Sequence, residues 1–171
     1  ANVILDMLKE DKVKYALTIV LGLNDALVEL TGTLAGLTFA IQNNNLIAIT
    51  GFVMGISASL SMAGSDYLSS KEDNHEHKDP FKSALYTGSA YILTVIFLVL
   101  PYLLLNNVYF SLILMLVLAI IIILGYTYYI SVVKNLDFKK RFLEMAGITL
   151  SVSIFSFGVG FVIRKIFGIE V

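Results

Sequence analysis

Apolar residues fall into five long runs with short polar breaks between them. The runs cover residues 15–41, 46–70, 83–105, 108–133 and 142–167. Each has the roughly 20 residues a helix needs to cross a bilayer. The breaks are Gln42-Asn43-Asn44-Asn45, the polar stretch 71–82 (KEDNHEHKDPFK), Asn106-Asn107 and the basic stretch Lys134–Arg141. The pattern predicts an all-α polytopic membrane protein with five transmembrane helices in a single membrane domain, residues 1–171. Run two is rich in small residues (Gly51, Gly55, Ser57, Ala58, Ser59, Ser61, Ala63, Gly64), a surface suited to helix contact rather than lipid. Run four is almost wholly aliphatic from Leu112 to Leu124, which predicts a lipid-facing position. Pro101 is expected to bend or end the third helix. In residues 1–14, Val3, Ile4, Met7 and Leu8 recur at helical spacing beside Asp6, Lys9, Glu10 and Lys12. That spacing fits an interfacial helix, with a frayed terminus as the equal alternative.

Composition agrees with the pattern. The 171-residue chain is 57% hydrophobic, against about 45–50% for soluble domains, and its mean hydropathy is +0.83. With no Cys, disulfides, Cys-ligated zinc and thiol catalysis are excluded. Neither the net charge of −1 nor any basic cluster points to nucleic acid. Nucleophile-elbow, P-loop and dinucleotide motifs are missing, so no enzyme chemistry is expected. The first apolar run is too long for a signal-peptide core and is expected to stay in the membrane. Lys9, Lys12, Lys14, Lys71, Lys78, Lys82, Lys134, Lys139, Lys140 and Arg141 all flank one side, and the two Asn-rich turns carry no positive charge. The positive-inside rule then predicts a cytosolic N-terminus and an external C-terminus, with Arg164 and Lys165 outvoted.

Candidate chemistry centres on Asp25 and Glu29. From Tyr15 to Ser65 they are the only charges. A carboxylate at bilayer depth costs several kcal/mol unless it faces a cavity, a partner or a cation. At 100° per residue, Asp25, Glu29, Gly32 and Gly36 fall within about 40° on a helix. The glycines allow close approach of another helix, and the carboxylates can line whatever runs along that contact. The competing reading is a hydrogen-bonded structural pair. Met54 and Met62 add thioethers, and carboxylate with thioether suits a borderline metal such as Fe²⁺ better than Mg²⁺ or Ca²⁺; packing is the alternative for both. Glu72, Asp73, His75, Glu76, His77 and Asp79 form a dense ligand set, read either as a low-affinity, pH-sensitive collecting patch or as a solvated turn. Spans three and four carry no charge from Ser83 to Val133, so an ion path belongs mainly to spans one and two. Tyr126, Tyr128 and Tyr129 read as interfacial anchors. Glu144 reads as an interfacial charge or the partner of a nearby Lys.

Several stretches together resemble the vacuolar iron transporter family. Gly22-Leu23-Asn24-Asp25-Ala26-Leu27 is similar to its first-helix Gly-x-x-Asp-Gly-Leu pattern, and Leu34-Ala35-Gly36-Leu37 to the small-residue stretch that follows. Leu60–Ser69 resembles its Ser-Met-x-x-Gly-x-Tyr signature, and Leu100-Pro101-Tyr102 the end of its third helix. The resemblance implies five helices per subunit, a homodimer with the path near the two first helices, and export of Fe²⁺ or Mn²⁺ from the cytosol, with proton antiport where the mechanism is known. It implies Asp25 as the path aspartate and Met62 as the path methionine. The metal is cargo, and no permanently bound cofactor is expected. The membrane is the cell membrane in a prokaryote and a vacuolar-type membrane in a eukaryote. Three departures stand out: Ala26 for Gly, Met54 where plant members carry a glutamate, and a short loop in place of their glutamate-rich metal-binding domain. Glu29 is a candidate replacement for the lost acidic group. Rival readings are a proton-coupled carrier of another cation, and a non-transporting membrane scaffold.

Overall fold

The computed structural model describes residues 2–72 and 79–168, with side chains described from Tyr15 onward. They form five helices: α1 (Asn2–Ile41), α2 (Asn44–Glu72), α3 (Pro80–Leu104), α4 (Val108–Lys134) and α5 (Phe138–Phe167). Each contains a stretch long and apolar enough to cross a membrane, and no strand occurs among the described residues. The chain is an integral, multi-pass membrane protein.

Helix ends depart from the hydropathy boundaries for local reasons. Residues 2–14 continue α1 without a break, so the helix has 40 residues rather than a separate surface segment. The first turn contracts to Gln42-Asn43: Gln42 is left-handed (φ 55°), and the Asn43 side chain caps α2 by accepting from the Leu46 N–H. The break expected over 71–82 is shorter, because Lys71 and Glu72 finish α2. Asp79 accepts from the backbone N–H groups of Phe81 and Lys82 to start α3, with Pro80 just inside, where its missing N–H costs nothing. The basic break shrinks to 135–137. Asn135 closes α4 in the left-handed conformation, and Asp137 caps α5 by accepting from Lys139 and Lys140. Hydropathy places Lys139–Arg141 outside a span, but polar residues extend a capped helix readily. Pro101 lies inside α3, three residues before its end, and its carbonyl accepts from the Leu105 N–H.

α1 is the central helix and touches the other four. Contacts of α1 with α3 and α5 progress in the same direction, so these three helices run parallel, as five alternating crossings require. Gly22 lies against Thr87 of α3, where a Cβ would come within 2.7 Å of the Thr87 carbonyl. Further along, Thr38 and Tyr102 share a hydrogen bond of 2.7 Å. On the α5 side Gly36 meets Ser156, and Gly160 abuts the Gly36 carbonyl so closely that a side chain at either position would push the helices apart. Leu27, Leu30, Leu34, Tyr91, Leu98 and Tyr102 fill the centre.

The small-residue surface of α2 divides in two. Ala48, Gly51, Gly55 and Ser59 are buried, with Gly55 against Val95 and Gly51 against Leu34. Ser57, Ser61, Gly64 and Ser65 remain exposed. α4 buries one narrow stripe (Met115, Ala119, Ile123, Tyr126) and shows aliphatic residues elsewhere, as a peripheral lipid-facing helix should. At the end carrying both Asn-rich turns, Gln42 donates to the Tyr109 hydroxyl (2.8 Å), and Asn44 donates to the Leu105 carbonyl and Ser111. Arg164, on the side otherwise poor in positive charge, donates to the Phe39 carbonyl (3.4 Å) in the last turn of α1. A cation at a helix C-terminus is favourable.

Candidate functional site

Asp25 and Glu29 lie one turn apart on the stretch of α1 that is open between α3 and α5. Both are exposed on the single chain, as are Leu17 and Leu21 on the turns before them. Backbone geometry explains the opening. Gly22 draws α3 close on one flank, and Gly32 and Gly36 draw α5 close further along, at Val152 and Ser156. Between those contacts the carboxylates face a gap.

Each carboxylate has a different wall. Asp25 opens into a cavity of about 420 Å³ between α1 and α5, lined by Leu21, Asn24, Val28, Arg141, Glu144, Met145 and Ile148. Glu29 turns toward α3, where its Oε2 accepts a hydrogen bond of 2.7 Å from the Tyr91 hydroxyl. Tyr91 is fully buried, so its ring has little freedom and holds that carboxylate in one orientation. Among the described residues no hydrogen bond holds the second carboxylate oxygen. Hydrogen bonds to charged groups are the stronger kind, about 1.5–3 kcal/mol.

The glycine face of α1 therefore receives a helix, as its spacing predicts, but that helix is α5. The expectation that the polar path belongs to spans one and two is modified accordingly, since within the chain the Asp25 cavity is walled by α5. Glu144 pairs with Arg141 one turn earlier, at 3.7 Å, rather than with a lysine. Within the same cavity lining, Asn24 Oδ1 and Arg141 Nε are buried without a hydrogen-bond partner among the described residues.

The other candidates are more scattered. Leu34 packs on Gly51 across the α1–α2 turn, and equal rise along the two antiparallel helices puts Met62 at nearly the depth of Asp25. Met62 is half-buried against the core. Met54 lies two turns nearer the opposite end and is exposed. Glu72 is exposed at the end of α2. Asp79 is engaged as the α3 cap. Asp73, His75, Glu76 and His77 lie outside the described residues. Among the described residues, no three His, Asp or Glu side chains converge on one point.

Tyr91, Asn24 and Arg141 are the polar members that sequence reasoning misses. Tyr91 is one of nine tyrosines, and only the α1–α3 register brings it to Glu29. Arg141 reads from hydropathy as part of a loop. Its spacing of three from Glu144 was the available signal, since that separation aligns two side chains on a helix.

A parallel trio of membrane helices leaves two carboxylates in an open seam of a multi-pass membrane protein. Residues 17–79, covering the carboxylates of α1, all of α2 and the loop that follows, match the family model described as the VIT family. The match covers less than half of the chain, and over that stretch the chain is similar to the VIT family. No curated protein matches it.

Proposed function

We propose that the protein carries a divalent metal, Fe²⁺ with Mn²⁺ as a second cargo, out of the cytosol in exchange for protons, working as a homodimer. The observation that carries this reading is the placement of Asp25 and Glu29. Two carboxylates stand one turn apart within a membrane span, both exposed on a single chain, and one is oriented by a buried tyrosine. Carboxylates left facing lipid would be costly. A second copy laid over the seam would cover them and bring four carboxylates to one path. The exposed half of the α2 small-residue surface supports such a contact, because small residues let membrane helices approach. Met62, at nearly the same depth, supplies a softer ligand. The donor set is rich in oxygen, with no Cys thiolate, which favours weak and reversible binding of a borderline cation. Metal enters from the side bearing residues 71–82, passes Met62, Asp25 and Glu29, and leaves on the far side as protons take its place on the carboxylates.

A liposome uptake assay with Fe²⁺, Mn²⁺, Co²⁺, Mg²⁺ and Ca²⁺, with and without a pH gradient, tests the reading. Uptake of Fe²⁺ or Mn²⁺ that acidifies the opposite compartment supports it. Proton-coupled flux of an organic cation without metal flux would favour the other-cargo reading. The scaffold reading draws on the Tyr91–Glu29 bond, which also joins α1 to α3 as a structural contact would. It predicts no flux at all and a dimer that weakens when Glu29 is neutralised.

A further inference from the structure

We propose that Arg141 is a tethered counter-ion for Asp25, a built-in cation that competes with the transported metal and hastens its release. The inference rests on the reading of Asp25 as a path ligand. Four facts carry it. Arg141 and Asp25 line the same cavity, one from α5 and the other from α1, with no ion pair between them among the described residues. Glu144 lines it too, and the Arg141 guanidinium lies 3.7 Å from the Glu144 carboxylate. Arg141 Nε is buried with no hydrogen-bond partner among the described residues. And Arg141 sits one turn into α5, close to where a membrane helix meets the interface, so its long stem can reach inward or toward water.

The charges explain the use. Asp25 and Glu144 contribute −2 and Arg141 +1, leaving the cavity at −1 without metal. A divalent ion would bring it to +1 with Arg141 present, but only to neutrality without it. Arg141 therefore weakens metal binding at Asp25. It also covers the carboxylate once metal has gone, so that the empty carrier does not expose an uncompensated charge. Glu144 is the alternative partner, one turn away on the same helix, that takes the guanidinium when metal occupies Asp25. A delocalised guanidinium on a long, flexible stem can alternate in this way, where a fixed dipole could not. The bland reading is that Arg141 only points to the headgroups, in which case its charge would be screened from the path.

The test uses the full chain in liposomes with Mn²⁺ as the probe, together with equilibrium Mn²⁺ binding to the purified protein. Arg141→Gln should lower both the half-saturating Mn²⁺ and the dissociation constant by about five- to tenfold, as expected when one positive charge is removed near a divalent ion in partly hydrated protein. It should also lower the maximal rate, because release slows. Arg141→Lys keeps the charge and should stay within about twofold of wild type. Should Arg141→Gln fail to fold, Arg141→Met keeps the stem without the charge and should lower the half-saturating Mn²⁺ in the same way. Unchanged affinity in folded Arg141→Gln or Arg141→Met, or an Arg141→Lys protein that behaves like Arg141→Gln, each overturn the proposal while leaving metal transport standing. Failure of the wild-type protein to bind or carry Mn²⁺ or Fe²⁺ overturns both.

Discussion

Tyr91→Phe removes one oxygen from a fully buried ring and nothing else. The Phe ring fits the same space between α1 and α3, so the core should be undisturbed. What is lost is the 2.7 Å bond to Glu29. A bond of this kind to a charged acceptor contributes about 1.5–3 kcal/mol. Glu29 is exposed on the single chain, so water replaces part of that bond, and the remainder falls on the orientation of the carboxylate. If about 1 kcal/mol of orientation is lost, the half-saturating metal concentration should rise about fivefold, by the rule that 1.4 kcal/mol is tenfold. Melting in detergent should change little. The assay is Mn²⁺ uptake into liposomes over a range of concentrations, with circular dichroism on the same preparation. A double substitution with Glu29→Gln supplies the check on coupling: the two effects should be far from additive if Tyr91 acts through Glu29. A folded Tyr91→Phe protein with wild-type half-saturation would show that the bond does not set the carboxylate for a ligand.

Three further outcomes follow from the same geometry. Asp25→Asn should abolish metal flux with the helical content intact, since an amide binds a divalent cation poorly and exchanges no proton; uptake and circular dichroism on one sample decide it, and wild-type flux would remove Asp25 from the path. Gly160→Ala and Gly36→Ala should each lower stability in detergent by about 1–3 kcal/mol through overpacking of the α1–α5 crossing, whereas Gly158→Ala, with nothing within 4 Å of its Cβ, should be neutral or stabilising; equal effects at all three would contradict the crossing. A single Cys introduced at position 75 should be labelled from the cytosolic side only, a clean experiment in a chain with no Cys of its own, and external labelling would reverse the assigned orientation.

The number of helices and most of their centres were legible because bilayer length and backbone satisfaction constrain a span so strongly. Asp25 and Glu29 stood out for the same reason, as charges inside an apolar run. Their surroundings were not legible. Helical spacing puts Gly32 and Gly36 on the carboxylate face but cannot say which helix they receive, and α5 is more than a hundred residues away in the chain. Tyr91 carries no charge and sits in an apolar run like any packing aromatic. Arg141 was assigned to a loop because hydropathy discards charged residues, although Asp137 had already capped a helix that includes it. Turn boundaries shifted where Asn43, Asp79 and Asp137 took up capping roles, whereas Asn107 caps α4 at the boundary hydropathy gives.

Five crossings have one more consequence. Carriers built from two inverted halves can switch between inward- and outward-facing forms by exchanging the shapes of those halves. An odd number of helices cannot be split into two such halves of equal count. Among the described residues the five helices offer no such pair of equal halves, so the proposed carrier would not rely on swapping them. α1 touches every other helix, and α5 meets it through Gly36, Ser156 and Gly160 and through the Phe39–Phe157 and Phe39–Phe161 ring contacts. A cycle built on this frame would treat α1 as the fixed post and the helices around it, or a second copy beside it, as what moves.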